Sequence, residues 1–279
     1  MSRSINLIIV IFSLYIAGCG SSVPSAKEDI ILIKGSDTMF QLTRKLANRF
    51  SEINPNVKFQ VFGGGTKSGI DQLLAGTIDI CSASRNLTSE EAKNLAEYYG
   101  SIGMYYLIAK DAMSIYANYE SPINNLSIEE LNKILTGQYS NLDSLNLGKG
   151  KIILAIRDSD SGTRKFLQDL VLPNNEFSET AKTFATTEEI VDFIKENKNG
   201  IGFGGIGFAK GVKLLSINGI EPNERNAKND SYPLTRYLHF FTTKSPGGVV
   251  KHFIDWVLSP AGQNVVRKSG YIPLWENNL

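Results

Sequence analysis

Three short stretches join glycine to hydroxyl side chains where an apolar run gives way to helical spacing. They are Gly35-Ser36-Asp37-Thr38, Gly63-Gly64-Gly65-Thr66-Lys67-Ser68-Gly69 and Ser161-Gly162-Thr163. The first turn of a helix leaves backbone N–H groups unpaired and carries partial positive charge, so an anion is welcome there. Glycine lets the backbone approach closely, and a hydroxyl adds a donor that also caps the helix. One such loop is usually no more than a cap, but three at the ends of parallel strands converge on one crevice. Two arginines stand beside them: Arg85 ends Ser82-Ala83-Ser84-Arg85, and Arg157 opens Arg157-Asp158-Ser159-Asp160-Ser161. A guanidinium holds an oxyanion through two parallel, charge-assisted hydrogen bonds. Either arginine alone reads equally well as a surface residue at a strand end. The chemistry assembled this way is capture of an oxyanion.

Other motifs fail on context. Gly200-Ile201-Gly202-Phe203-Gly204-Gly205 spells a dinucleotide fingerprint but lies within a strand-like run, not between a strand and a helix. Gly63 to Ser68 echoes a phosphate loop, yet Thr66 stands where the glycine before the lysine is required. Asp158-Ser159-Asp160 begins like a calcium loop and then lacks the third ligand and the downstream glutamate. His239 and His252 are far apart and lack companion ligands, which makes them packing or surface residues. Ser36, Ser68 and Ser161 could serve a nucleophilic enzyme, but there is no Gly-x-Ser-x-Gly elbow and no histidine in a suitable motif. No catalytic residue, metal or cofactor is expected. The formal net charge of +1, without a basic stripe, argues against nucleic acid as a partner.

Strands and helices must position these loops. Ile30-Ile31-Leu32-Ile33 reads as a buried strand, followed by Met39, Leu42, Leu46 and Phe50 at helical spacing. Val57, Phe59 and Val61 alternate as a strand, Ile70 to Leu74 as a helix, and Ile78 to Cys81 as a third strand. Repeated strand–loop–helix units predict an α/β fold with a mainly parallel sheet. Thr88 with Glu91, and Ser127 with Glu130, have capping-box spacing, and Leu126 with Leu131 could staple the second cap. Gly137 and Gly200 sit where helix-ending glycines belong. Lys151 to Ile156 is a further strand, and Ser259-Pro260 restarts a helix after the apolar face of Val249 to Val257. The runs Met104 to Ala117 and Tyr232 to Thr242 are extended and mark where the chain crosses between two lobes and returns.

The N-terminus sets the compartment. Arg3 precedes an apolar run from Ile5 to Ile16, shorter than the about 20 residues a membrane span needs. It ends in Ile16-Ala17-Gly18-Cys19, so residues 1–18 read as a signal peptide. The junction resembles the lipobox of bacterial lipoproteins, which implies acylation of Cys19. Residues 19–28, polar and serine-rich, then serve as a lipidated tether holding the chain outside the cytoplasm, towards the periplasm or cell exterior. The other cysteine, Cys81, lies in an apolar stretch and reads as a small buried hydrophobe.

Taken in order, Gly35 to Thr38, Gly63 to Ile70, Asp79 to Arg85 and Arg157 to Thr163 resemble the phosphate-binding proteins of bacterial ABC transporters. Leu126 to Gly137, Gly200 to Phe208 and Tyr232 to Pro273 look like the same family. The resemblance implies a two-lobed periplasmic-binding-protein type II architecture, with a hinge that closes over one dehydrated phosphate. It implies lobe I from residues 29–110 plus 225–279 and lobe II from 111–224, as a monomer that delivers phosphate to the membrane components of an ABC transporter. By position, Ser36, Asp37, Thr38, Thr66, Ser68, Ser84, Arg85, Arg157, Ser161, Gly162 and Thr163 would surround the anion. Some members carry an aspartate where this chain has Arg85, and there it accepts the phosphate proton. Asp37, Asp158 and Asp160 are the remaining acceptors here. Another tetrahedral oxyanion such as sulfate, or an adhesin role for a surface lipoprotein, are the alternative readings.

Overall fold

The computed structural model describes residues 28–275; the apolar leader and Cys19 lie outside them. The first half runs β1 (Asp29–Gly35), α1 (Asp37–Ile53), β2 (Val57–Phe62), α2 (Thr66–Leu74), β3 (Ile80–Ala83), α3 (Ser89–Tyr99), β4 (Met104–Ala112) and β5 (Ser114–Ala117). There follow β6 (Asn125–Leu126), α4 (Ile128–Leu135), β7 (Ile153–Arg157), α5 (Gly162–Val171), β8 (Lys182–Phe184), α6 (Thr187–Glu196) and β9 (Gly200–Gly204). The chain ends with β10 (Lys213–Leu214), β11 (Ser216–Ile217), α7 (Glu224–Lys228), β12 (Thr235–Thr242), α8 (Gly248–Leu258) and α9 (Pro260–Lys268). Among the described residues no helix is long and apolar enough to cross a membrane.

Two five-stranded sheets result, ordered β2-β1-β3-β12-β4 and β10-β5-β9-β7-β8. Both run mainly parallel, as the repeated strand–loop–helix units predict, but each carries one reversed strand, β12 in the first and β5 in the second. In the first, β1 pairs parallel with β2 and β3, while β12 runs antiparallel to both β3 and β4. In the second, β7 is parallel to β8 and β9, and β5 is antiparallel to β9 and β10. The reversed strands come from the extended runs, enter each sheet without a covering helix and so escape the parallel rule for βαβ units.

Met39, Leu42, Leu46 and Phe50 bury one face of α1 on the first sheet, as their spacing predicts. Phe50 meets Phe59 and, from α8, Phe253 and Trp256 edge-on, and Phe59 tilts against Phe253. The opposite face holds Ile70, Leu73, Cys81 and Phe241. Cys81 is fully buried, and burial pushes its thiol up, out of the reactive range. Ile31 and Ile33 are buried but Ile30 is exposed, so β1 alternates where a continuously buried strand was expected.

The capping boxes at Thr88 and Ser127 are formed, and a third at Thr186 with Glu189 precedes α6. Leu126 and Leu131 share one core. Gly137 (φ +82°) closes α4, its N–H donating to Ile134 O. Gly200 does not end a helix; α6 stops at Glu196 with Asn197 as its cap, and Gly200 opens β9. Only Met113 separates β4 from β5, and its N–H donates to Leu234 O. The outward and return crossings therefore lie side by side. Ala227, Tyr232 and Leu234 pack in the core of the second sheet, before β12 joins the first.

Candidate functional site

The starts of α1 and α2 sit at the ends of β1 and β2, on the first sheet. Ser36 occupies the cap position of α1, buried, without making a side-chain capping bond. α2 begins after Gly65, which has no side chain to cap with. Neither helix start is closed off by a side-chain cap, so first-turn N–H groups other than those of Met39 and Lys67 stay available. Gly65 adopts φ +91°, a region that disfavours side chains, and a Cβ there would lie 2.5 Å from Asp160 O. That carbonyl, from the loop before α5, accepts from Lys67 N at 3.2 Å. The glycine loop of one sheet is thus pressed against the serine loop of the other.

From the second sheet come Arg157 at the end of β7 and the start of α5. Ser161 caps α5, accepting from Arg164 N. Arg157 is 1% exposed. Its Nη2 donates to Asp37 Oδ2 (2.6 Å) and Ala185 O (2.6 Å), its Nη1 to Thr187 Oγ1 (3.2 Å). Its Nε is buried with no partner in the protein. Asp37, through its other oxygen, accepts from Gly64 N at 2.9 Å. One carboxylate therefore orients the glycine loop and the arginine of the opposite sheet together.

Between these arms lies a nest of hydroxyls. Thr38 Oγ1 and Thr163 Oγ1 are 2.8 Å apart, Thr66 Oγ1 and Ser84 Oγ 3.5 Å. Ser84 N donates to Thr66 Oγ1. A Cβ on Gly162 would stand 2.2 Å from Thr66 Oγ1 and 2.7 Å from Ser84 Oγ, so only glycine lets α5 come this close. Thr38, Thr66, Ser84, Gly162 and Thr163, spread over 125 residues of sequence, meet here.

Two predicted residues stand apart. Ser68 lies half-buried inside α2 and makes no hydrogen bond to the nest. Arg85 is 9% exposed and held by Glu91, Nη1 donating to Oε2 and Nη2 to Oε1, both at 2.7 Å. Burial works against the Glu91 carboxylate, but hydrogen bonds from Arg85 and Thr88 prevail and hold it below the ordinary range. Arg85 still borders a cleft of about 300 Å³ with Lys67, Ser161 and Lys165, at the edge of the nest. Of the three aspartates, Asp158 has a buried Oδ1 without a partner. Burial raises its carboxyl, Asp37 and Asp160 push the same way, and Arg157 opposes.

Sequence reasoning missed Arg236 and Asp111, 4% and 0% exposed. Arg236 Nε and Nη2 both donate to Asp111 Oδ2, while Nη1 donates to Thr163 Oγ1 (3.0 Å) and Ser84 O (3.3 Å). The available signal was a charge inside each extended run, Asp111 directly after Lys110 and Arg236 before Tyr237.

Two mixed α/β sheets, joined by paired crossings and presenting helix starts to each other, define the two-lobed class of substrate-binding proteins. The chain matches the PBP superfamily domain over residues 21–261. The phosphate-binding protein PstS of Pseudomonas aeruginosa is 30% identical over 263 residues, 86% of this chain and 81% of the relative. PstS of Borreliella burgdorferi is 28% identical, covering 96% and 98%. A substrate-binding protein from Clostridium perfringens assigned to a phosphate ABC transporter, solved with bound phosphate, superposes with a TM-score of 0.82 at 25% identity, covering 88% and 100%. This chain belongs to the PBP superfamily and, within it, to the family of the PstS substrate-binding proteins.

Proposed function

We propose that the protein captures inorganic phosphate outside the cytoplasm and delivers it to the membrane components of an ABC transporter, without catalysing a reaction. The observation that carries this reading is the meeting of two sheets at one buried nest. There the hydroxyls of Thr38, Thr66, Ser84 and Thr163 adjoin the starts of α1, α2 and α5, beside Arg157 with its unpartnered Nε. A tetrahedral oxyanion takes many donors and one or two guanidinium charges, which is what this set offers. The relatives named for phosphate point to the same ligand.

In this reading Ser36, Asp37, Ser161 and Gly162 complete the first ring of contacts or orient it, Arg85 contributes charge from the cleft edge, and Ser68 stays outside. Lobe I is built from residues 29–110 and the C-terminal segment, lobe II from the middle. The core packing of Ala227, Tyr232 and Leu234 favours a return to lobe I at about Thr235, later than residue 225. Closure of the lobes and binding are one event, since the nest draws on both. The chain works as a monomer, anchored by a lipid on Cys19; Cys19→Ala should release it from membranes, and continued partition into detergent would remove the anchor.

The test is calorimetric titration of the soluble domain, begun after Gly20 and refolded from denaturant to strip copurified ligand. Saturable one-to-one binding of phosphate with sulfate silent is expected. A carboxylate that accepts the phosphate proton rewards phosphate and repels sulfate, and Asp158→Asn is the first substitution with which to narrow that gap. Equal sulfate binding would transfer the function to another oxyanion; heat from neither would leave the surface-lipoprotein alternative.

A further inference from the structure

Arg236 and Asp111 sit opposite each other in the antiparallel ladder of β12 and β4, one step before each strand reaches the crossing between sheets. Both side chains leave the first sheet and touch the second. Arg236 Nη1 donates to Thr163 Oγ1 at the start of α5, and its guanidinium lies 5.4 Å from the centre of the Phe166 ring. Asp111 Oδ1 accepts from Ile206 N, just after β9. A Cβ on Gly205 would come within 3.1 Å of Asp111 Oδ2 and 2.9 Å of Thr38 Cγ2, so the second sheet closes tightly on this pair. Arg236 also donates to Ser84 O, in the first sheet.

We propose that Arg236, held by Asp111, is a positioning residue of the anion site, fixing which hydrogens the Thr38–Thr163 couple offers. The inference rests on the phosphate reading above. A guanidinium has donors only, so Thr163 Oγ1 must accept from it. The two threonine hydroxyls hold two hydrogens and share one bond, so one hydrogen remains for an acceptor outside the couple. The charge behind Thr163 polarises that row and strengthens the last donor. Without the guanidinium, either hydroxyl could turn to present a lone pair to the anion, which would repel it. Asp111 prevents Arg236 from binding the anion itself by taking two of its five N–H groups, and it cancels a charge that would otherwise be buried alone.

The experiment is phosphate titration of the refolded soluble domain in four forms. These are the parent, the double variant Arg236→Met with Asp111→Asn, Thr163→Val, and all three changes together. The double variant removes both charges at once, so no buried ion is left unpaired, and the amide oxygen introduced at position 111 can still accept from Ile206 N. It is expected to melt with the parent and to bind phosphate about tenfold more weakly or worse. In the Thr163→Val background the same two changes should cost less than about threefold, because there is no hydroxyl left to orient. Arg236→Lys, which keeps the charge but loses the fork, should fall between parent and double variant. Parent-like affinity in the double variant would overturn the inference, as would an equal loss with and without the Thr163 hydroxyl, since that would assign the pair to the crossing alone. A double variant that does not fold would also make the pair a structural element, provided Arg236→Lys folds and binds like the parent. A parent silent to phosphate would instead overturn the phosphate reading beneath it.

Discussion

Arg157 ends β7 and Arg85 follows β3 by two residues, each leading through a loop into a helix, yet they are held in opposite ways. Each keeps a buried Nε without a protein partner, but Arg157 is bonded across the cleft to Asp37 of the opposite sheet. Arg85 gives both terminal nitrogens to Glu91, a capping residue six positions along the chain and on the same side of the cleft. One arginine can exchange contacts when the sheets part; the other stays with its partner in any arrangement. What separates them is the sequence distance to the carboxylate that holds each: 120 residues for Arg157, six for Arg85.

That contrast can be broken or sharpened by substitution. Arg157→Ala removes a guanidinium from the nest and leaves the half-buried Asp37 without its counter-ion, so phosphate binding should weaken by about 2–5 kcal/mol, thirtyfold or more. Calorimetry measures this directly, and unchanged affinity would move the site elsewhere. Gly65→Ala places a side chain at φ +91° and against Asp160 O. It should cost about 1–2 kcal/mol in backbone strain, and scattering in phosphate should show incomplete closure.

Arg85→Ala should change affinity by less than about threefold but lower the melting temperature, since its pair with Glu91 is worth about 1.5–3 kcal/mol. Glu91 sits below its ordinary value of 4.5. Its stabilisation is therefore complete above that pH and disappears as pH falls through the lowered folded value. Melting curves of Arg85→Ala should accordingly decline less steeply in acid than those of the parent. A large loss of phosphate affinity in this variant would return Arg85 to the anion site and erase the contrast with Arg157.

The helix starts were legible in the sequence because caps and glycines are local. Thr88 with Glu91, Ser127 with Glu130 and Ser259 before Pro260 each act over a few residues, and each is found as its spacing predicts. Both extended crossings were legible too, as apolar runs without helical period. Hidden from view was whatever depends on register between distant strands. Nothing local pairs Arg236 with Asp111, 125 residues away. The same holds for the direction of β12, the one strand that runs against the other four of its sheet. Gly200 misled because a glycine after a helix fits either a cap or a strand that crosses close beneath a neighbour. Here Ile194 and Asn197 crowd it.

The position of β12 also bears on how the chain is made. The second sheet is assembled from one unbroken stretch, β5 to β10, and needs nothing outside residues 114–214 to fill its five places. The first sheet cannot be finished in order of synthesis, because its fourth place, between β3 and β4, belongs to residues 235–242. During synthesis the early strands must therefore wait with two unpaired edges until the end of the chain arrives. Such open edges invite pairing with other chains. A polypeptide emerging from its N-terminus would complete its second sheet first, and its exposure to aggregation would last from the emergence of β4 to that of β12.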